Sequence, residues 1–292
     1  MTGLARQHLQ LIQTATDRLL GSLDGFTDEQ ARQPSRLPGW SRGHVLTHVA
    51  RNADGMCNLL TWARTGVPTL MYREPNGRNA DIEAGSGRPA AELVQDVADS
   101  AGRWQQAAEE LSDADWQAEV RRRPTLPPER AMNLLNGRLL EVEFHHVDLG
   151  LGYRLTDSPA AVLDEALGYC HRRYALDVTF LAVLDDGRRL PFPAGAKPSL
   201  EVLGSAADLL GWITGRGEPP GSAPSAARYR RCPPGPELVG YVVDRRVGAD
   251  LGYRLRAVRV GVRAGGQHDG GLQTGRSGGQ RHRHRDLQRA QS

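Results

Sequence analysis

Cysteine is scarce in this sequence, and its three residues lie far apart, at Cys57, Cys170 and Cys232. None belongs to a CxxC pair, so their spacing supports neither a disulfide framework nor a thiolate zinc site. If the chemistry of this protein needs a nucleophilic thiol, we therefore expect that thiol to come from a cofactor and not from the chain.

Long apolar runs are also missing. No stretch of about 18 consecutive apolar residues occurs, which argues against a membrane-spanning helix. The N-terminal segment MTGLARQHLQLIQTATDRLL mixes charged and apolar side chains and lacks the apolar core and small-residue cleavage site of a signal peptide. We therefore expect a cytoplasmic protein with no membrane partner.

Lysine is nearly absent, since Lys197 is the only one among 37 basic residues. Such a bias is typical of GC-rich coding and favours, by association, an actinobacterium-like source. The net charge of +3 is unevenly distributed, because 14 arginines and only 6 acidic residues follow Arg216. That positive tail has few aromatics among its arginines and no folded motif, so nucleic-acid binding is disfavoured.

Helical periodicity in the first half of the chain predicts four helices. They cover residues 4–23, about 42–62, a stretch starting near Pro89, and about 129–149. Ser41 can cap the second helix, and Pro89 suits the first position of the third. Residues 66–88 are rich in Gly, Pro and Asn and are predicted to form a loop. The pattern indicates a four-helix bundle over residues 1–150.

The pattern changes after Gly150. Helices are predicted at residues 159–175 and 205–214, and strands at 177–184, 189–192 and 199–203, the first two strands joined by an Asp-Gly turn. This arrangement indicates a small α+β domain over residues 151–218. Residues 219–292 are rich in Gly, Arg, Gln and His, and we interpret them as a disordered or frame-shifted low-complexity tail.

The fourth predicted helix carries an ionisable stripe. Spacings of 3, 4 and 3 place Arg138, Glu141, His145 and Asp148 on one side of it, beside core aliphatic residues. Buried ionisable groups need partners, and a glutamate and a histidine one turn apart can bind one metal ion. Such a pair is nevertheless common by chance. Arg138 and Asp148 are placed to orient the two ligands.

The second predicted helix offers a further ligand, because His44 and His48 also lie one turn apart. Two imidazoles and a carboxylate suit zinc and leave a coordination position open for catalysis. His44 lies near the helix start, where a role in capping or in supporting a ligand competes with ligation. The residues alone leave open which histidine binds.

Two segments contain these candidate ligands: LPGWSRGHVLTHVARN at residues 37–52 and RLLEVEFHHVDL at residues 138–149. Together they resemble the mycothiol-dependent maleylpyruvate isomerase family of DinB-like metalloproteins. The resemblance implies a DinB-type bundle whose metal ligands are His48, Glu141 and His145. It also implies that Arg216, at the end of AADLLGWITGR, reaches the active site, although capping of the preceding helix is an alternative role for this residue.

The resemblance further implies a zinc-dependent isomerase, with another divalent metal as an alternative to zinc, that uses mycothiol. Its thiolate would add to the double bond of maleylpyruvate or a similar unsaturated keto acid. Rotation and elimination would then give the trans isomer, with Arg216 holding a substrate carboxylate. Two alternatives remain: a mycothiol S-transferase acting on electrophiles, and a metal-binding stress or regulatory protein without catalysis.

Overall fold

A computed structural model describes residues 3–72, 77–173, 179–198 and 200–217, and three short strands at 228–231, 241–244 and 254–257. The chain begins with helix α1 (Gly3–Gly21), a short α2 (Asp28–Arg32) and the long α3 (Arg42–Thr65). Ser41 caps α3 by accepting a hydrogen bond from the backbone N–H of His44, as predicted.

The N-terminal half is a bundle of four long helices, completed by α5 (Ala90–Glu109) and α6 (Asn133–Asp148). Helix α3 packs against α5 and α6, and α1 packs against the same two helices, which closes the ring. The apolar stripe of α1, including Leu9, Ile12 and Leu19, is buried in the shared core. Together with the strands described below, this confirms the predicted α+β class with an N-terminal four-helix bundle.

The predicted loop at residues 66–88 was wrong in one respect, because it contains helix α4 (Gly77–Gly85). This helix packs against α3 at two glycines. A Cβ at Gly43 would lie 2.2 Å from the carbonyl oxygen of Ser86, and one at Gly85 would lie 2.6 Å from Thr47 Cγ2. The glycines therefore allow a close approach that composition alone did not indicate.

The start of the fourth bundle helix also differs from the prediction. Strand β1 (Glu119–Val120) pairs antiparallel with β2 (Glu129–Arg130), and α6 begins only at Asn133. The side chain of Glu129 is held by Arg122 Nε at 2.6 Å, which fixes this short hairpin beside the bundle. Glu129 and Arg130, the first residues of the predicted helix, therefore form a strand because they pair with β1.

The second half begins with α7 (Ala160–Arg173) and continues with strands β3 (Phe180–Leu184), β4 (Arg189–Phe192) and β5 (Leu200–Gly204). Strand β3 lies between an antiparallel β4 and a parallel β5, and β6 (Arg228–Arg231) adds to the far side of β5. Helix α8 (Ala206–Ile213) packs against β5 and α7. The predicted order of helices and strands is confirmed, with ends shifted by a few residues.

Beyond Gly217 the described part of the chain consists of β6 and the antiparallel pair β7 (Tyr241–Asp244) and β8 (Arg254–Ala257). The rest of the predicted tail, 219–292, lies outside the described residues, so that interpretation stays a prediction. Within the described ranges, no helix is long and apolar enough to cross a bilayer.

Candidate metal centre

Helix α6 is buried on almost every side, because it packs against α1, α3 and α7. Its four stripe residues, Arg138, Glu141, His145 and Asp148, are all buried. Glu141 and His145 lie one turn apart, and Glu141 Oε2 is 3.2 Å from His145 Nε2. The helix thus presents a carboxylate and an imidazole to the same point in the bundle.

Helix α3 supplies the third member of the cluster. His48 is buried and its Nε2 lies 3.0 Å from Glu141 Oε2, across the contact between α3 and α6. One ligand atom each from His48, Glu141 and His145 lies within 4.8 Å of the others. Ligands of a tetrahedral zinc ion, bound at about 2.1 Å, are separated by about 3.4 Å. The donor atoms and their spacing therefore fit a divalent metal.

His44, the other histidine that the sequence offered, is directed away from this cluster. Its Nδ1 accepts from the backbone N–H of Ser41 at 3.2 Å, and its Nε2 lies 3.4 Å from Glu83 Oε2. Its ring stacks on Trp40, which also contacts the edge of His48. His44 therefore completes the helix cap and borders the site without entering the cluster.

Asp148 orients one of the candidate ligands. Its Oδ2 lies 2.9 Å from His145 Nδ1, so that His145 Nε2 faces Glu141 and His48. A carboxylate behind the far nitrogen of a ligating histidine is the arrangement that fixes ring orientation and tautomer at metal sites. The structure thus places Asp148 against His145, and its role in orienting a metal ligand stays a prediction.

Arg216 follows α8, and among the described contacts it is linked to the centre through Asp148. Its Nη2 donates to Asp148 Oδ2 at 2.6 Å, and its Nε and Nη1 donate to the carbonyl oxygens of Phe144 and Thr214. The guanidinium also covers the Phe144 ring, 4.7 Å from its centroid. The structure thus brings Arg216 behind His145, and the substrate contact that the resemblance implied for it stays a prediction.

Arg138 also has partners other than those expected. Its Nη1 donates to the carbonyl oxygen of Val49 and to Asn52 Oδ1, both on α3. No hydrogen bond joins it to Glu141 or His145 among the described contacts. Burial lowers the pKa of Arg138 to about 10. Arg138 therefore ties α6 to α3 one turn away from the cluster.

The electrostatics of the cluster favour the ligating forms of two groups. Burial alone would raise the pKa of Glu141, but hydrogen bonds from His145 and His48 hold it well below its usual value. Burial and the neighbouring His145 lower the pKa of His48 to about 4. At neutral pH, Glu141 is thus ionised and His48 neutral, and both states are those that metal ligation requires.

Sequence reasoning missed Arg78, which belongs to α4 in the segment predicted as a loop. Its Nη2 lies 3.3 Å from His48 Nδ1, and its guanidinium lies 5.8 Å from the centroid of the Trp40 ring. The Gly- and Asn-rich composition of α4 concealed the helix that places this side chain. Trp40 itself lies in the turn that the sequence treated only as a helix start.

Comparison with known proteins agrees with this geometry. The profile of the mycothiol maleylpyruvate isomerase N-terminal domain matches residues 12–150. A crystal structure of a mycothiol-dependent maleylpyruvate isomerase superposes with a TM-score of 0.64 at 29% identity, covering 74% of this chain and 93% of that chain. A histidine-to-alanine variant of such an isomerase gives the same TM-score and coverage at 28% identity.

Among curated proteins, no sequence matches this chain significantly. The profile nevertheless spans both segments that carried the resemblance, and the structural match extends beyond the bundle to nearly the whole of the compared isomerase. Residues 12–150 therefore form the N-terminal domain of the mycothiol-dependent maleylpyruvate isomerase family, and the fold as a whole is similar to that of its solved members.

Proposed function

We propose that this protein is a metal-dependent isomerase that uses mycothiol and acts on maleylpyruvate or a similar unsaturated keto acid. The single observation that carries the proposal is the buried cluster of His48, Glu141 and His145, in a chain whose N-terminal domain belongs to this family. Three protein ligands of this type leave a coordination position open, as in catalytic and not structural zinc sites. A cytoplasmic location accords with the proposal.

The metal, when bound, would lower the pKa of the mycothiol thiol so that a thiolate is available at neutral pH. The chain's own residues then have distinct tasks. Glu141 contributes a negative charge, while Asp148 holds the ring of His145 with Nε2 directed at the cluster. Arg216 neutralises Asp148, so this carboxylate stays ionised in a buried position.

The thiol is expected from a cofactor because the two described cysteines are poor nucleophiles. Burial, and then the nearby Asp54, raise the pKa of the Cys57 thiol to about 11. Cys170 is buried. A thiol that stays protonated, or that solvent cannot reach, does not add to a double bond at neutral pH.

Metal analysis and an isomerase assay test the proposal. We expect the purified protein to bind one equivalent of metal, His48→Ala to lose it, and the matched variant His44→Ala on the same helix to retain it. With maleylpyruvate and mycothiol, wild type should form the trans isomer and return the thiol. Stoichiometric metal in His48→Ala would contradict the ligand assignment.

The same assay separates the two alternatives. Accumulation of a thiol conjugate without isomerisation would favour an S-transferase. Bound metal with neither isomerisation nor conjugation would favour a regulatory or stress protein. Each outcome is visible when substrate, product and free thiol are quantified in one reaction.

A further inference from the structure

An unsaturated keto acid carries carboxylate groups, and a carboxylate that leaves water needs a cationic partner. Arg216 is poorly placed for this task. All three of its side-chain nitrogens already donate to Asp148, Phe144 or Thr214, and its side chain is only 2% exposed. A substrate would have to displace the Asp148 carboxylate, which supports His145. A different cation is therefore required.

Arg122 lies against α6 close to the cluster. Its Nε donates to Glu129 Oε1 at 2.6 Å, which anchors the guanidinium from the β1–β2 hairpin. The guanidinium itself rests on Gly137, where an added Cβ would lie 2.4 Å from Nη2 and 3.2 Å from Cζ. Any side chain at residue 137 would occupy the place of this group, so Gly137 forms a seat for it.

The seat lies one helical turn from the proposed metal ligand Glu141. Residues 137 and 141 are four apart on α6, so their Cβ positions are separated by about 6 Å. Burial disfavours the charged guanidinium, but Tyr169 and the carboxylates of Glu129 and Glu141 raise the pKa of Arg122 above its usual value. Arg122 is thus a permanent cation beside the cluster.

One nitrogen of this guanidinium is unused. Arg122 Nη2 is buried and has no hydrogen-bond acceptor among the described residues. Leaving such a donor unpaired in a buried place is unfavourable, so a buried acceptor is favoured here. Arg138 also has unpaired nitrogens, but its side chain is fully buried, whereas that of Arg122 is 15% exposed. Of these two cations, only Arg122 has an exposed part, and a ligand that reaches Nη2 must displace the atoms that now cover it.

We propose that Arg122 binds a carboxylate of the acid substrate through Nη2, and that Glu129 and Gly137 position its guanidinium. The inference rests on the proposed function for the identity of the acid. The carboxylate contact itself depends only on the seat at Gly137, the anchor at Glu129 and the unpaired donor between them.

The test uses the metal-loaded full chain and two readouts. One is the KM and kcat of isomerisation at saturating mycothiol. The other is calorimetric binding of the saturated analogue of maleylpyruvate, which has no double bond and cannot add a thiol. The variants are Arg122→Met, Arg122→Lys, which retains the charge near Glu129, and Gly137→Ala, which displaces the guanidinium. Matched controls are the exposed Arg130→Met on the same hairpin and Gly102→Ala in open space.

We expect Arg122→Met and Gly137→Ala to weaken analogue binding and raise KM tenfold or more, with metal content unchanged. Arg122→Lys should recover part of the loss, and both controls should match wild type. If Arg122→Met fails to fold, Arg122→Lys and Gly137→Ala carry the same comparison. Wild-type analogue affinity in folded variants, or a loss in proportion to metal content, would overturn the inference.

The outcomes also separate this inference from the proposed function. A wild type that isomerises maleylpyruvate, with KM and analogue binding independent of Arg122, would retain the function and overturn the inference. A wild type that binds the analogue through Arg122 without isomerising maleylpyruvate would retain the inference and overturn the proposed function. A wild type that neither isomerises nor binds the analogue would overturn both.

Discussion

At the scale of single residues, the Asp148 carboxylate connects the two halves of the chain. The same oxygen, Oδ2, contacts His145 on the bundle and Arg216 beyond α8. Burial alone would raise the pKa of Asp148, but Arg216 and His145 lower it below its usual value. The ion pair thus keeps a charged acceptor in place behind a candidate ligand.

Replacing the Asp148 carboxylate by its neutral isostere should weaken both metal binding and the stability of the fold. We expect Asp148→Asn to reduce metal affinity roughly 10–100-fold, because the ring of His145 loses its charged acceptor. It should also lower the free energy of unfolding by roughly 3–5 kcal/mol, because Arg216 stays buried without a counter-charge. Metal titration and urea unfolding measure the two effects. The control is Asp157→Asn on the surface, and equal metal affinity in both variants would contradict the role of Asp148.

Cys57 offers a prediction about pH. Because its pKa is raised to about 11, its thiolate is scarce at pH 8. We expect iodoacetamide to alkylate it about 100-fold more slowly there than an ordinary exposed thiol, with the rate still rising through pH 10. Mass spectrometry of the Cys57 peptide, with urea-unfolded protein as control, measures this rate. A rate that levels off near pH 8.5 would contradict the burial of this thiol.

At the scale of elements, two glycines set the distance between α3 and α4. Gly43 approaches the backbone of Ser86, and Gly85 approaches the side chain of Thr47. The contact holds α4, and with it Arg78, beside the His48 end of the cluster. The geometry at this side of the site therefore depends on the absence of two Cβ atoms.

We expect Gly43→Ala to lower the free energy of unfolding by about 1–3 kcal/mol, because its Cβ meets a backbone oxygen that can move only with the α4 turn. Gly102→Ala is the matched control, since a Cβ there meets nothing within 4 Å. That variant should gain up to about 1 kcal/mol from better helix propensity. Urea unfolding of both variants measures the difference, and equal effects would contradict close packing at Gly43.

At the scale of the whole molecule, the cluster and its supports all precede Gly217. The most distant member in sequence is Arg216, whose partner Asp148 closes the bundle's last helix. The net positive charge lies in the segment that follows. The candidate metal centre thus lies within the first 217 residues, although β6 beyond them pairs with β5.

A chain that ends after Gly217 should therefore keep the metal stoichiometry of the full chain, with affinity within about threefold. Arg216→Met in the full-length chain should instead lose roughly tenfold or more in affinity, because Asp148 then lacks its counter-charge. Metal titration of both proteins makes the comparison. Loss of metal on truncation alone would show that residues after Gly217 support the centre.

Local patterns were sufficient for much of this protein. Periodicity predicted the long helices and the β3–β4 hairpin, and spacing within α6 paired Glu141 with His145, because such relations hold within one element. The residues alone left His44 and His48 as alternatives, and the family resemblance selected His48. Composition concealed α4, whose formation beside α3 depends on the contacts at Gly43 and Gly85.

By itself, then, the sequence determined the bundle, the α+β second half and a candidate ligand pair on one helix. Only the tertiary structure decided that His48 contacts Glu141 and that the guanidinium of Arg216 donates to Asp148. It also decided that the guanidinium of Arg122 packs against Gly137. These contacts depend on how helices are rotated and spaced against one another, and the spacing of residues within a single element does not determine that geometry.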